Sequence, residues 1–301
     1  MNNTLPQSGV FPALWTPTDA GGRLLEAGVR EQIAHLRAAG VHGLMILGST
    51  GEFPLFGASE REDLLRRLVA LAAPLPVIAN ISDIRPAVVA RLARAARESG
   101  CAAVAVLPPW YFAISQADLL EFFLRAAEAA APVPVWLYNF PERVGTGIAT
   151  ETLASFADRM PLGGVKLSGG AWALHAEVVA LGRQRGFPVW TGWDTRLADA
   201  MALGCSGCIS GLANFAAEAV LAVFRAMHSG DPAAAAPATR QLQEMAAAFE
   251  GLNFPHDIAA GMAARGRVTG EPKQVMSERS RLAVEHARTR LEALFRSWGW
   301  T

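Results

Sequence analysis

Lysine and tyrosine are nearly missing from this 301-residue chain, each occurring twice, at Lys166 and Lys273 and at Tyr111 and Tyr138. Of the 27 basic residues, 25 are therefore arginine, and the abundance of alanine and arginine is the composition a GC-rich genome produces. Against that drift a lysine inside an apolar stretch asks for a reason. Cysteine is scarce too: Cys101, Cys205 and Cys208 make no disulfide framework, which points to a reducing compartment. Net charge is absent, 27 acidic side chains balancing 27 basic ones with no basic run, so no overall field draws the chain to nucleic acid or to an anionic membrane. Long apolar runs are also lacking. The stretch LVALAAPLPVIANIS is broken by prolines and falls short of the roughly 20 residues a membrane span requires. The opening MNNTLPQSG carries neither a positive charge nor an apolar stretch, so no secretory signal is expected there. With 51% hydrophobic and 18% charged residues the chain is too apolar for disorder, and the expectation is a soluble, cytoplasmic globular protein.

What is present is a recurring alternation. Short apolar runs stand at 9–15, 43–47, 76–80, 102–107, 134–138, 164–167, 188–191 and 207–210. They are apolar throughout, as strands of a parallel sheet covered on both faces would be. Helical patterns lie between them. LLEAGVREQIAHLRAAG ends at Gly40, a stop signal, while Ser59 to Glu62 and Ser115 to Asp118 read as helix-opening capping boxes. Eight strand–helix units predict an α/β fold, a (β/α)8 TIM barrel spanning 1–230. An open doubly wound sheet is the alternative, but no G-x-G-x-x-G follows the first strand. From 231 to 301 no strand candidate remains, and the segment reads as a C-terminal extension of about three helices packed on the barrel, broken near GLNFPHD and GRVTGEPKQ.

Chemistry in such a barrel gathers at the C-terminal ends of the strands. Both tyrosines and Lys166 fall at those ends, beside GSTGE (48–52), Asn80, GWD (192–194) and Ser210-Gly211. Lys166 sits among Gly163, Gly164, Val165 and Leu167, where an ammonium is poorly solvated and more of the neutral amine remains. A neutral amine attacks a carbonyl carbon to give a Schiff base; a buried lysine paired with a carboxylate is the plain alternative. Tyr138, one strand earlier, is placed to move protons during imine formation, or else is an ordinary core tyrosine. The Gly48-Ser49-Thr50-Gly51 loop offers N–H groups and hydroxyls to an anion, though it is no Walker loop.

Taken together these residues resemble the dihydrodipicolinate synthase / N-acetylneuraminate lyase family of class I pyruvate aldolases and lyases. Seven motifs stand in order: Thr16-Pro17, GSTGE (48–52), PWY (109–111), YNFP (138–141), GVK (164–166), GWD (192–194) and GCSGCISGLAN (204–214). The resemblance implies a Schiff base between Lys166 and the keto carbon of a pyruvate-type substrate, with Tyr138 as proton-transfer partner. It implies that Ser49 and Thr50 hold the substrate carboxylate, and that Ile209 and Gly211 line the substrate site. Tyr111 matches a position that reaches into the neighbouring subunit's site, implying a homodimer or homotetramer. Arg143 matches the position where synthase-type members hold a second substrate's carboxylate. No cofactor and no metal are implied, since the iminium is the electrophile.

Three departures bear on the substrate: Asn80-Ile81-Ser82 after the third strand, Leu167 after the lysine, and NFPHDIAAGM (253–262) without the lysine that synthases tend to carry. They leave a sugar-acid or hydroxy-acid aldolase or dehydratase beside the true 4-hydroxy-tetrahydrodipicolinate synthase of lysine biosynthesis. A phosphate-binding barrel isomerase and a non-enzymatic 2-oxo acid sensor are the alternatives of other classes. Cys205-x-x-Cys208 has metal or redox spacing but no second pair, and packing is the better reading. The six histidines form no H-x-x-x-H pair and read as surface or capping residues. Asp194 and Glu52 are candidates either for acid–base work or for fixing a loop, and Trp110 and Trp193 for shaping the pocket mouth.

Overall fold

The computed structural model describes residues 5–300, so four residues of MNNTLPQSG and the last residue of the extension lie outside the described residues. Eight parallel strands form the barrel: β1 (Gly9–Pro12), β2 (Leu44–Ile46), β3 (Val77–Asn80), β4 (Ala103–Val106), β5 (Val135–Asn139), β6 (Leu162–Leu167), β7 (Val189–Thr191) and β8 (Gly207–Ser210). From β2 to β8 each strand pairs with the next in sequence, and β8 pairs with β1. Between β1 and β2 the circle is joined by the Ala13–Met45 bridge and by the Leu14 N–H donating to the Met45 carbonyl at 2.8 Å. The chain is a TIM barrel with surrounding helices. The first strand is shorter than its apolar run suggests: past Pro12 only Ala13 and Leu14 still bond the neighbouring strands before the chain enters the loop that carries Thr16 and Pro17.

The interior explains where the functional side chains point. Trp190 on β7 meets Phe11 on β1 and Trp136 on β5, each with ring centroids 4.8 Å apart. Those strands are not ladder neighbours, so the rings meet inside the barrel. Glycine makes the room: a Cβ on Gly164 would lie 2.6 Å from Cζ2 of Trp136. Replacing either tryptophan by alanine would cost about 3–5 kcal/mol of stability. Side chains on a strand alternate, so the residues two positions on, Tyr138 after Trp136 and Lys166 after Gly164, also face inward, one layer nearer the C-terminal ends. The β5–β6 register pairs Tyr138 directly with Lys166.

Local signals in the helices are mostly met. The helix Glu26–Ala39 stops at Gly40, whose φ of 90° is left-handed and suits glycine. The Ser115 hydroxyl accepts the Asp118 N–H at 3.1 Å and opens Gln116–Ala130. The box at Ser59–Glu62 is displaced: the helix Ala58–Ala72 begins after Gly57, whose N–H donates to Glu60 Oε2 at 2.6 Å. Glu62 is drawn instead to Arg66 and Arg91, and the Ser59 hydroxyl accepts from Arg91 at 3.2 Å. His175 and His256, of the histidines expected at surface or capping positions, are buried, each as the first residue of its helix. The His175 ring can leave water because its nitrogens meet the Trp172 carbonyl at 3.0 Å and Thr191 Oγ1 at 3.2 Å. The three cysteines are free and buried; burial pushes the Cys101 and Cys205 thiols up to about 12, and Cys208 well above its ordinary value.

The C-terminal segment forms the helices Pro232–Ala248, His256–Ala264 and Glu278–Ser297. It is tied across the barrel's upper loops: Trp15 Nε1 donates to the Thr269 carbonyl and the Glu271 N–H to the Thr18 carbonyl, both at 2.8 Å. Lys273 Nζ donates to Glu52 Oε2 at 2.7 Å with both side chains buried. Among the described residues no helix is long and apolar enough to cross a membrane.

Candidate active site

A cavity of about 300 Å³ opens at the C-terminal ends of the strands, with Lys166 and Tyr138 in its wall. The barrel contributes Ser49, Thr50, Ser168, Trp193, Asp194, Ile209 and Gly211, and the helical extension contributes Ala246, Phe249, Phe254, Asp257 and Ile258. A second cavity of about 240 Å³ shares Ser49 and Phe254 with the first and is lined by Trp110, Val144 and Arg143.

Lys166 Nζ lies 4.2 Å from the centroid of the Tyr138 ring, and both residues are buried. The ring face supplies part of the solvation a buried ammonium loses, while leaving the nitrogen on the cavity wall. Residue 192 must be small: a Cβ there would stand 2.9 Å from Lys166 Cε and closer still to Ser168 Oγ. Glycine at this strand end lets the lysine stem pass beside the β7 backbone.

The Ser49-Thr50 loop is held from below. Leu47 turns the chain out of β2 with φ of 52°, and its carbonyl accepts Asn80 Nδ2 at 2.8 Å. Asn80 Oδ1 in turn accepts the Ser82 hydroxyl at 2.6 Å, and Ser82 Oγ accepts the Leu107 N–H at 2.8 Å. These buried bonds lash the ends of β2, β3 and β4 together. The unusual Asn80-Ile81-Ser82 sequence is thus the brace of the loop. Glu52, at the end of GSTGE, is occupied by Lys273 and faces away from acid–base duty in the Lys166 cavity.

Two carboxyl groups flank the cavity. Asp194 Oδ2 accepts the N–H groups of Gly211 and Leu212 at 3.2 and 3.1 Å, which fixes the turn after β8, while its buried Oδ1 has no hydrogen-bond partner among the described residues. Burial raises the Asp194 carboxyl above its ordinary range, against the Ser210 hydroxyl, the Leu212 N–H and the Lys166 charge. Burial also pushes the Asp257 carboxyl up to about 6, opposed by its backbone hydrogen bonds and by the charge of Arg143. Among the described residues no group of three or more His, Cys, Asp and Glu side chains is placed to hold a metal ion.

Of the residues singled out from sequence, Ser49, Thr50, Tyr138, Lys166, Ile209 and Gly211 meet in one cavity. Arg143 is not in that wall. It lies in the neighbouring cavity, its guanidinium 5.0 Å from the Phe254 ring centroid and 5.6 Å from that of Phe140. Tyr111 is apart from both cavities, 86% exposed with φ of 81°, its ring edge-on to Phe112 at 4.9 Å. Trp193 lines the Lys166 cavity and Trp110 the neighbouring one. Sequence reasoning missed Phe254 and Asp257. The one available signal was an acid set in the otherwise uncharged, largely apolar helix of NFPHDIAAGM.

The family model for the dihydrodipicolinate synthetase family matches residues 6–292. A 4-hydroxy-tetrahydrodipicolinate synthase of Methanospirillum hungatei is 33% identical over 226 residues, covering 74% of this chain and 77% of its own length. An uncharacterized DapA-like lyase of Halobacterium salinarum is 30% identical over 288 residues, covering 92% of this chain and 91% of its own. Among solved structures, YagE of Escherichia coli K12, a prophage protein of the dihydrodipicolinic acid synthase family crystallised with pyruvate, superposes with a TM-score of 0.88 at 28% identity, over 95% of this chain and 98% of that one. The chain belongs to the dihydrodipicolinate synthetase family.

Proposed function

We propose that this family member is a Schiff-base lyase or aldolase that cleaves or forms a carbon–carbon bond at the carbon next to the keto group of a small 2-oxo acid, on that carbon's far side. Membership of the family supports the lyase or aldolase class, and the pyruvate complex of YagE supports a pyruvate half. The observation that carries the finer reading is the buried Lys166 Nζ 4.2 Å from the Tyr138 ring in the wall of a cavity.

The amine of Lys166 adds to the keto carbon, a proton passes to the departing oxygen, and water leaves to give the iminium. Tyr138, on the neighbouring strand in direct register, is the proton carrier for that exchange. Ser49 and Thr50 hold the carboxylate of the pyruvate half with loop N–H groups and hydroxyls. In cleavage the hydroxyl two carbons from the iminium loses its proton, the carbon–carbon bond breaks, and its electron pair enters the enamine. The aldehyde departs. Protonation of the enamine and addition of water to the iminium release pyruvate and restore the amine; condensation runs the same steps backwards. The walls of the cavity orient the two halves and keep bulk water out.

Three free cysteines support a reducing, cytoplasmic setting. The exposed Tyr111–Phe112 pair, Tyr111 held at a positive φ, supports a homo-oligomer in which this loop is covered by a second copy.

The test is borohydride reduction in the presence of pyruvate followed by peptide mass mapping. A reduced adduct on Lys166, missing from Lys166→Ala, is expected. A folded protein with no adduct on Lys166 overturns the reading.

A further inference from the structure

Arg61 is buried, 2% exposed, on the helix Ala58–Ala72 that follows the Ser49-Thr50 loop. Its guanidinium is tied to both ends of that loop. On one side its Cζ stands 4.9 Å from the centroid of the Phe53 ring, and the Phe53 N–H closes the turn onto the Gly48 carbonyl at 3.4 Å. On the other, Nη2 donates to the Asn80 carbonyl at 3.3 Å, and the Asn80 side chain holds the Leu47 carbonyl. Arg61 lines neither the Lys166 cavity nor its neighbour, so whatever it does there passes through the loop.

Its charge is only partly answered. Among the described residues Asp83 is the one carboxylate within ion-pair distance, 3.4 Å from Nη1. The same carboxylate accepts Arg85 Nε and Nη2 at 2.8 and 3.1 Å and the Arg85 N–H at 3.0 Å. Two cations share one anion, and the shorter bonds go to Arg85. Arg61 Nε is buried with no hydrogen-bond partner among the described residues. Burial lowers the Arg61 guanidinium to about 10, with Asp83 opposing and Arg85 adding to the effect. A cation kept out of water at that cost calls for a further anion nearby. The Lys166 cavity has need of one: Lys166 is the only cation in its wall, and its nitrogen must be neutral to attack the keto carbon. Resting on the Schiff-base reading above, we propose that Arg61 is a positioning residue that holds the Ser49-Thr50 loop for the substrate's carboxylate and supplies, from behind the loop, the positive charge that carboxylate faces. In a buried setting such a charge adds to the pull of the loop's N–H groups without touching the substrate.

The experiment follows the rate of borohydride trapping on Lys166 against the concentration of pyruvate and of methyl pyruvate, whose ester carries no charge. Wild type, Arg61→Lys, Arg61→Met and Asp83→Asn are compared. In Arg61→Met the half-saturating pyruvate concentration should rise by roughly tenfold, with the maximal rate near wild type and the ester's half-saturation changed much less. Arg61→Lys, which keeps the charge, should restore most of the difference. Asp83→Asn removes the anion that offsets Arg61, so pyruvate should half-saturate at a concentration roughly twofold to fivefold lower. That gain runs opposite to structural damage and stays readable if Arg61→Met does not fold. Equal weakening of pyruvate and ester in Arg61→Met, or weaker pyruvate binding in Asp83→Asn, overturns the proposal. So does a wild type that traps pyruvate on Lys166 with all three variants behaving like it; the Schiff-base reading then stands. No trapped pyruvate on folded wild type overturns both.

Discussion

Lys273 and Glu52 are 221 positions apart in the chain and meet at 2.7 Å, each side chain less than a tenth exposed. One of only two lysines thus pins the helical extension to the loop that carries Ser49 and Thr50. The extension supplies Phe254 and Asp257 to the cavity, so this ion pair couples the lid of the site to its floor.

Breaking that pair on one side should be costly. Lys273→Met or Glu52→Gln leaves a buried charge without its partner, and a loss of about 3–5 kcal/mol is expected in urea unfolding. The double variant should recover most of it. If the single variants lose no more than the double, the pair is not coupled as described.

Tyr138→Phe keeps the ring under Lys166 Nζ and removes only the hydroxyl. The fold should be unchanged, while kcat falls by about 10²–10⁴ if, as proposed, Tyr138 carries the proton. Pyruvate trapping should slow in step. An unaltered trapping rate in stopped-time borohydride quenching would assign the proton transfer to another group.

Gly192→Ala tests the space around the lysine stem. The added methyl would press on Lys166 Cε and Ser168, so adduct formation should fall at least tenfold. Thermal unfolding should move by the 1–3 kcal/mol typical of overpacking. Normal trapping in this variant would mean that the β7 backbone has room to retreat.

Asp257 also sets a pH dependence. Its carboxyl is raised from 3.8 to about 6 in the fold, so between those values the folded state holds more protons than the unfolded one. Stability contributed at this position is therefore greatest at low pH and declines as pH rises from about 4 to 6, by up to about 3 kcal/mol. Asp257→Asn removes the titration. Urea unfolding of the two proteins from pH 4 to 7 should diverge over that window, the variant becoming the more stable; parallel curves would show that the carboxyl titrates alike folded and unfolded.

Much of the barrel and its lysine could be read directly from the chain. Apolar runs closed by glycine and proline name the strands, and Lys166 and Tyr138 stand out because their residue types are so rare. Their pairing follows from alternation along two adjacent strands, a local rule. The helix at Ala58 shows where local reading slips: Ser59 and Glu62 have the right spacing, but contacts with Arg66 one turn on and with Arg91 of the helix Pro86–Glu98 draw them away, and the cap falls to Gly57 and Glu60.

By itself, then, the sequence determined the elements and the layer in which the amine and the phenol stand, because strand periodicity is a property of successive residues. Tertiary structure alone decided which distant segment covers them. Phe254 and Asp257 come to the cavity, Arg143 turns to a neighbouring one against Phe140 and Phe254, and Lys273 reaches back to Glu52. Such contacts join residues far apart in the chain. Their geometry depends on how the whole helical extension packs over the barrel mouth, and no local pattern of residues encodes that.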